Sequence, residues 1–273
     1  ATPTRCSTAG VSPAPRRCSS TQRAVSARRK RINCSRDARA TGPVPSGTRW
    51  LHDPNPFERA AEILATDLRE AAQAVGSPRL AIPGGSAMAA VAPTRERLGM
   101  NWKQVRLTWV DERCVPATSP DSNRGTAARA GLLNDPGPAL ALPLYEDGES
   151  GLQAVTRCEA ALAEQFDRAL DVALLGMGED GHVASLFPEA APPGERARVA
   201  HVTSSPKPPA ERITLTLKFL NTASHCILVA AGESKRRALD RLARGDPTLP
   251  ASSLSRLTVI TDLSPDTFPG DNR

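Results

Sequence analysis

The sequence predicts an α/β protein: a doubly wound, mostly parallel sheet flanked by helices, in a single domain that follows a disordered N-terminal tail. Two observations predict this fold. Short apolar runs of strand length alternate with helical patterns from residue 50 onward. One such run, Val172–Leu175, leads directly into a turn with three glycines in six residues. An apolar run of this length is typical of a strand buried on both faces.

The first 49 residues differ in composition from the rest. They carry ten arginines and one lysine against a single acid, Asp37, a local charge of +10. Because the whole chain has a net charge of +6, residues 50–273 carry −4. A Ser-, Arg- and Pro-rich segment with few large aliphatic side chains cannot bury enough surface to fold, so we expect residues 1–49 to be disordered. The same composition fits an organellar transit peptide, which is the alternative to a cytoplasmic location.

Composition also excludes several classes of protein for residues 50–273. The basic charge belongs to the tail, so we expect no nucleic-acid partner. No apolar run approaches the roughly 18 residues that span a membrane, so we expect no membrane partner. The six cysteines form no CxxC pair and the four histidines are scattered, which predicts neither a disulfide framework nor a metal or cofactor. Three unpaired body cysteines indicate a reducing compartment such as the cytoplasm; the sequence does not indicate an oligomeric state.

The body begins near Trp50, and its first half alternates helices and strands. A helix is predicted to start at Pro56 with Asn55 as its N-cap, because apolar residues then recur at helical spacing as far as Ala72. The strand Leu80–Ile82 comes next. It is followed by Gly84, Gly85 and Ser86 and by a helix from about Ala87. Backbone N–H groups at such a turn favour an anion, so this loop is a candidate phosphate site.

The middle of the chain adds one strand and two helices. The strand Val105–Val110 ends in three charged residues, of which Asp111 and Arg113 are candidate site residues. A helix is predicted from residue 121 to about Leu133, with Ser122 or Asn123 as its cap. A second helix is predicted over residues 151–170, and it leads into the central strand.

The last part of the chain contains three predicted strands and one helix. The strands are Arg212–Leu217, His225–Ala231 and Leu257–Thr261. The helix spans residues 233–244. It carries Lys235 in its first turn, where a lysine opposes the helix dipole and an anion would compensate it.

The glycine-rich turn after Val172–Leu175 contains two titratable side chains, Asp180 and His182. In open α/β sheets, ligands bind at the loops that follow the carboxyl ends of the strands. A histidine there titrates near neutral pH, and a carboxylate two residues away can orient its ring. This pair is therefore the candidate catalytic centre.

Several motifs in the same order resemble one family, the glucosamine-6-phosphate isomerases and 6-phosphogluconolactonases, and within it the lactonase type. The match covers roughly residues 55–262. The matching residues are Pro83–Ser86, Trp109–Pro116 with Ser122 and Asn123, Gly176–Pro188, Arg212–Thr216, Gly232–Lys235 and Pro250–Ser252. One departure is Ala87-Met88 where the family usually has Thr-Pro, which removes one hydroxyl from the predicted phosphate site.

The resemblance implies hydrolysis of a phosphorylated sugar lactone, 6-phospho-D-glucono-1,5-lactone, the second step of the oxidative pentose phosphate pathway. It implies His182 as the base that activates water, Asp180 as its support and Arg113 as a cation that stabilises developing charge. The substrate and its phosphate would be held by Gly84, Gly85, Ser86, Asp111, Asn123, Arg212 and Lys235. No cofactor is implied.

Two alternatives stay open. The deaminase type typically has Asp-Glu-Tyr where this chain has Asp111-Glu112-Arg113, and it has a glutamate after the histidine that this chain lacks. Both differences favour the lactonase. A sugar-phosphate sensor without catalysis is the other alternative, against which the intact Asp180 and His182 argue.

Overall fold

A computed structural model describes residues 47–167, 169–188 and 197–264. The predicted disorder of the tail falls on residues 1–49, and all but the last three of these lie outside the described residues. No helix in the described ranges is long and apolar enough to cross a membrane.

Within the described residues, seven strands form a parallel sheet, and three more form a small antiparallel sheet. The parallel strands run in the spatial order β1-β10-β9-β6-β2-β3-β5, and the small sheet runs β4-β8-β7. Their bounds are β1 Arg49–His52, β2 Arg79–Ile82, β3 Arg106–Trp109, β4 Asp111–Arg113, β5 Leu140–Leu142, β6 Val172–Gly176, β7 Val199–Val202, β8 Arg212–Leu215, β9 His225–Val229 and β10 Leu257–Thr261.

Six α-helices and four 3₁₀ segments connect the strands within the described ranges. The α-helices are α1 Pro56–Val75, α2 Val91–Leu98, α3 Asn123–Arg129, α4 Gly151–Gln165, α5 Leu217–Leu220 and α6 Arg236–Ala243. The 3₁₀ segments are Gly85–Ala90, Gly99–Gln104, Glu233–Lys235 and Pro250–Ser253. The predicted mostly parallel α/β architecture is therefore confirmed.

Several predicted helices are shorter than their patterns indicated. The helix after residue 121 ends at Arg129 because Gly131 lies in the left-handed region, with φ +74°. Its N-cap is Ser122, whose hydroxyl accepts a hydrogen bond from the Gly125 N–H. Asn55 does occupy the N-cap position of α1, but its side chain makes no capping bond.

The turn after β2 begins as a 3₁₀ segment rather than as the predicted α-helix, and α2 starts only at Val91. Pro93 lies in the first turn of α2, where an N–H has no intrahelical partner, so the helix continues through it. The predicted helix from Glu233 likewise opens with a 3₁₀ segment. The predicted strand at Arg212 belongs to the small antiparallel sheet, not to the parallel one.

The core lies on both faces of the parallel sheet, as its apolar strands require. All five residues of β10 are buried, and the first four of β6 are buried as well. The apolar stripe of α1, which includes Leu64 and Leu68, packs on β6, β9 and β10. Burying such side chains contributes about 1.5–3 kcal/mol each.

The chain order creates a crevice between β2 and β6. From β2 the chain continues outward to β3, whereas the later strands β6, β9 and β10 extend the sheet in the opposite direction. Neighbouring loops therefore diverge at the carboxyl ends of β2 and β6, which is where ligands bind in open α/β sheets. The amino ends of the same two strands are joined by an ion pair, in which Arg79 donates two side-chain hydrogen bonds to Asp171, both 2.8 Å.

Candidate active site

A polar cavity of about 360 Å³ opens at the carboxyl ends of β2 and β6. Eight of the ten predicted site residues line it: Gly84, Gly85, Ser86, Asp111, Arg113, His182, Arg212 and Lys235. The other two contact lining residues directly. Asp180 binds His182, and Asn123 donates to the backbone and side chain of Asp111. The structure therefore brings all ten residues together, although they are spread over more than 150 positions of the chain.

The centre of the site is the pair formed by His182 and Asp180. Oδ1 of Asp180 lies 2.6 Å from Nδ1 of the imidazole. With Nδ1–H donating to the carboxylate, the lone pair of the neutral ring lies on Nε2. Burial lowers the pKa of His182 below its ordinary value, and the hydrogen bond and charge of Asp180 oppose that effect only in part. The ring is therefore neutral at pH 7 and able to accept a proton.

Asp180 stays ionised beside the ring. Burial alone would raise its pKa, but the hydrogen bond from His182 and the charges of His182 and Lys207 lower it below the ordinary value. Nζ of Lys207 lies 3.4 Å from the same carboxylate oxygen. An ionised Asp180 can stabilise the imidazolium that forms when His182 takes up a proton.

The glycines of this turn make room for the pair. A Cβ at Gly178 would overlap both the His182 ring and the Asp180 carboxylate. Gly181 has φ +92°, a conformation that other residues adopt only with strain. The two glycines thus allow an acid and a base to pack against the backbone of one tight turn.

The predicted phosphate loop also depends on a close contact. A Cβ at Gly84 would overlap the side-chain amide of Asn123, so only glycine lets α3 approach the end of β2 this closely. Gly85 has φ +62°. Ala87 and Met88, which occupy the positions of the usual Thr-Pro pair, are buried.

A buried network joins the small sheet to the glycine-rich turn. Ser185 donates to Oδ2 of Asp111 at 2.6 Å, and its own N–H donates to the Thr214 hydroxyl. Nη1 of Arg212 lies 3.4 Å from the Ser185 hydroxyl and 3.9 Å from Asp111. Sequence reasoning missed Ser185 and Thr214, because a serine and a threonine carry no signal until the fold places them beside charged groups.

Arg212 is almost fully buried, and most of its guanidinium is hydrogen-bonded within the protein. It is 3% exposed, and Nε and Nη2 donate to the backbone carbonyls of residues 207–209. Burial and the charge of Arg113 lower the pKa of Arg212. The Phe187 ring contacts both groups: its centroid lies 6.0 Å from the guanidinium of Arg212 and 5.0 Å from the His182 ring. Arg212 therefore holds the loop at residues 207–209 and contributes positive charge to the cavity wall.

Positive charge dominates this wall. Arg113, Lys207, Arg212 and Lys235 line the cavity together with the acids Asp111 and Glu179. Lys207 was missed from the sequence because it lies in a Pro-rich loop without a motif. Nη1 of Arg113 donates to the Asp121 carbonyl, while its buried Nε has no hydrogen-bond partner within the described parts of the chain. The wall fits an anionic ligand.

Asp111 and Arg113 were predicted from the sequence as site residues, but Glu112 was not. The Glu112 side chain nevertheless fixes the backbone in this part of the site. Its buried carboxylate accepts hydrogen bonds from the backbone N–H groups of Arg113, Asn123 and Arg124, at 2.6–2.8 Å. Burial raises the pKa of Glu112, and these three N–H groups oppose the rise. Glu112 thereby ties β4 to the N-terminus of α3.

A second cavity, of about 770 Å³, lies beside the first and contains none of the predicted site residues. Apolar and hydroxyl-bearing side chains such as Phe187, Leu217 and Thr248 line it. The smaller cavity is the better candidate, because it contains the titratable pair and the cations.

Fold and cavity together define an α/β protein with a cation-rich small-molecule site at the switch point of its sheet. The chain belongs to the glucosamine-6-phosphate isomerase/6-phosphogluconolactonase family, whose model matches residues 55–260. A 6-phosphogluconolactonase from Neisseria meningitidis is 34% identical over 72% of this chain and 89% of its own length.

Solved structures show the same fold. A 6-phosphogluconolactonase from Shewanella baltica superposes with a TM-score of 0.68 at 24% identity, covering 80% of this chain and 98% of that one. A monomeric glucosamine-6-phosphate deaminase superposes with a TM-score of 0.63 at 17% identity, covering 78% and 96%. The fold is therefore common to both activities, and the site residues must distinguish them.

Proposed function

We propose that this protein hydrolyses 6-phospho-D-glucono-1,5-lactone to 6-phospho-D-gluconate, the second step of the oxidative pentose phosphate pathway. One observation carries the proposal: a neutral histidine held by a carboxylate at 2.6 Å faces a cavity walled by four cations. The histidine supplies a base for water, and the cations suit a phosphate dianion. The name of the Neisseria meningitidis relative supports this substrate.

In this reaction water attacks the lactone carbonyl at C1. Nε2 of His182 takes one proton from that water as the new C–O bond forms, and Asp180 stabilises the imidazolium. Collapse of the tetrahedral intermediate breaks the bond from C1 to the ring oxygen, and the imidazolium returns its proton to that oxygen. The products are a carboxylic acid, which ionises at neutral pH, and a free hydroxyl group.

The remaining site residues would bind and polarise the substrate. Arg113, whose Nε has no hydrogen-bond partner in the described chain, would stabilise the charge that develops on the carbonyl oxygen. The loop Gly84–Ser86 with Lys235 and Lys207 would hold the phosphate by N–H donors and positive charge. Asn123 holds Asp111, which would contact the sugar hydroxyls, and Arg212 adds charge behind them.

The test measures lactone hydrolysis by the full-length chain. Glucose-6-phosphate dehydrogenase generates the lactone in situ, and an NADP-dependent dehydrogenase reports 6-phosphogluconate. We expect acceleration over spontaneous hydrolysis, with a loss of about 10²–10⁴ in kcat for His182→Ala. His52 provides the matched control: it is exposed, and the Asp262 carbonyl is the one hydrogen-bond partner of its side chain in the described chain. His52→Ala should retain full activity.

Two results would overturn this proposal. Release of ammonia from glucosamine 6-phosphate without lactone hydrolysis would assign the deaminase activity instead. Saturable binding of 6-phosphogluconate by a folded chain that accelerates neither reaction would assign a sensor.

A further inference from the structure

A second cluster of reactive side chains lies at the small sheet, outside the cavity that contains Asp111 and His182; one of its members, His201, lines the larger cavity. It consists of Cys114, His201 and Glu211, and one possible ligand atom of each lies within 4.8 Å of the other two. Nε2 of His201 is 3.3 Å from a carboxylate oxygen of Glu211. The proposed hydrolysis uses none of these three residues.

The backbone of the small sheet sets the positions of all three residues. Cys114 directly follows β4, and its N–H donates to the carbonyl of Glu211, the residue before β8, at 3.0 Å. His201 lies on β7, which pairs antiparallel with β8. The cluster therefore combines one side chain on β7 with two side chains that flank the ends of β4 and β8. Because Cys114 is far from His201 and Glu211 in the chain, no motif of characteristic spacing predicts the cluster from the sequence.

Local packing keeps the His201 ring in this place. A Cβ on Gly151, the first residue of α4, would overlap the imidazole, so only glycine lets the ring lie against the helix. The ring is 24% exposed and the Glu211 side chain 59%, whereas Cys114 is half-buried. The cluster is thus most open to solvent at the glutamate.

Burial and nearby carboxylates both act on the Cys114 thiol. Burial, with the charges of Glu211, Glu112 and Glu149, raises the pKa of Cys114 to about 12, so the thiol keeps its proton until a cation replaces it. The nearest arginine in sequence, Arg113, lines the catalytic cavity instead.

We propose that Cys114, His201 and Glu211 form a binding site for Zn²⁺, with one coordination position left to water. Thiolate, imidazole and carboxylate are the three ligand types that zinc uses in proteins, at about 2.3 Å for sulfur and about 2.1 Å for nitrogen and oxygen. Two ligand atoms at about 2.1 Å from a tetrahedral ion lie about 3.4 Å apart, close to the 3.3 Å between His201 and Glu211. On binding, the Cys114 thiol releases its proton to solvent and its sulfur bonds to the metal.

The experiment loads the chelator-treated, full-length chain with Co²⁺ as a spectroscopic substitute for zinc and then adds Zn²⁺. We expect a near-ultraviolet thiolate-to-cobalt charge-transfer band that saturates at about one equivalent and is displaced by zinc. Cys114→Ser should abolish the band. Glu211→Gln, at an exposed position, should keep the protein folded and weaken the binding of both metals.

Cys6, Cys18 and Cys34 require their own control, because thiols elsewhere in the chain also bind cobalt. A variant with all three replaced by serine should retain the band unchanged. A band that persists in Cys114→Ser, or that disappears in the triple variant, would place the metal elsewhere and overturn the proposal. A folded wild-type chain that shows no thiolate band would overturn it as well.

Discussion

The carboxylate of Asp180 and the imidazole of His182 contact each other at 2.6 Å although only one residue separates them in the chain. Two residues this near in the chain can form the hydrogen bond because of two glycines. Gly178 has no Cβ to overlap the two side chains, and Gly181 adopts the left-handed conformation that the tight turn needs. The hydrogen bond between the two side chains is therefore formed in the absence of substrate. A base already in position saves the reaction the cost of orienting it.

The first prediction concerns the pH dependence of kcat/KM. Protonated His182 cannot accept a proton, so activity rises with pH as the ring deprotonates. Because burial lowers the pKa of His182, the midpoint of this acid limb should lie below the ordinary value of 6.5. Asp180→Asn removes the negative charge that raises this pKa and leaves at most a weaker, neutral hydrogen bond to the ring. The limb should then move to lower pH while kcat falls by roughly 10²-fold.

A pH–rate profile of wild type and Asp180→Asn measures both effects. An acid limb that stays in place, or that moves to higher pH in the variant, would show that the limb does not report His182.

The second prediction concerns Lys207, which lines the cavity and lies 3.4 Å from Asp180. Lys207→Ala removes one of four cations from the wall, so KM for the phosphorylated lactone should rise about tenfold, the equivalent of about 1.4 kcal/mol, with a smaller change in kcat. The charge of Lys207 also lowers the pKa of His182, so the acid limb should move to higher pH, opposite to the shift in Asp180→Asn.

Initial-rate kinetics over a range of substrate concentrations separate KM from kcat. Lys103, an exposed lysine in the 3₁₀ segment Gly99–Gln104, offers the matched control, and Lys103→Ala should change neither constant. Equal KM values in Lys207→Ala and Lys103→Ala would show that Lys207 does not contribute to substrate binding.

The parts of this molecule that sequence could predict are those with a local signal. Strand β10 was predicted with its observed bounds, because an apolar run between polar turns is a property of neighbouring residues. The predictions of the helix ends were less accurate. Whether α3 stops at Arg129 depends on the left-handed conformation of Gly131, and glycines inside and after helices look alike in sequence.

The same distinction holds for the site. His182, Asp180 and the Gly84–Ser86 turn were predicted because each follows a strand in a recognisable motif. Ser185 and Lys207 were missed because their partners, Asp111 and Asp180, are 74 and 27 residues away in the chain. The role of Glu112 was missed although Asn123 is only 11 residues away, because that partner begins a separate element, α3. Arg212 was predicted as a phosphate ligand, and the structure shows that much of its hydrogen-bonding capacity is already used by the 207–209 loop. Long-range contacts of this kind exist only once the strands are paired.

The third prediction concerns Glu112, whose carboxylate accepts three backbone N–H groups at the junction of β4 and α3. Glu112→Gln keeps the volume but turns one acceptor oxygen into an NH₂ donor that faces other donors. Leaving such groups unsatisfied costs roughly 2 kcal/mol. We expect the free energy of unfolding to fall by about that amount and kcat to fall as well, because Arg113 and Asn123 lose their fixed positions.

Urea denaturation and lactone kinetics on the same preparation test this prediction. A variant with unchanged stability would show that the carboxylate is not the acceptor that joins the two elements. Glu164→Gln, in α4 and away from the cavity lining, is the control and should change neither quantity.

The last prediction separates stability from catalysis at the opposite end of the same two strands. Arg79 and Asp171 pair at the amino ends of β2 and β6, with side chains only 12% and 10% exposed. Asp171→Asn leaves a nearly buried guanidinium with only the exposed Asp167, 3.5 Å from Nη1, as its counter-charge. The loss of the buried partner should lower the free energy of unfolding by about 3 kcal/mol. Because the pair lies at the end of the sheet away from the cavity, kcat at a temperature where the variant is folded should match wild type. Glu62→Gln, which breaks the exposed pair with Arg59, should cost less than about 1 kcal/mol.

The double variant Arg79→Met/Asp171→Leu separates the effect of an unpaired charge from the effect of altered packing. Replacing both charges with apolar side chains leaves no charge unpaired, so most of the lost stability should return. Urea denaturation of the single and double variants gives the coupling between the two residues directly. If the double variant is as unstable as Asp171→Asn, the loss comes from altered packing at the ends of β2 and β6 rather than from the unpaired charge. A matching loss of kcat in Asp171→Asn would mean that the amino ends of these strands control the geometry of the turn that carries Asp180 and His182.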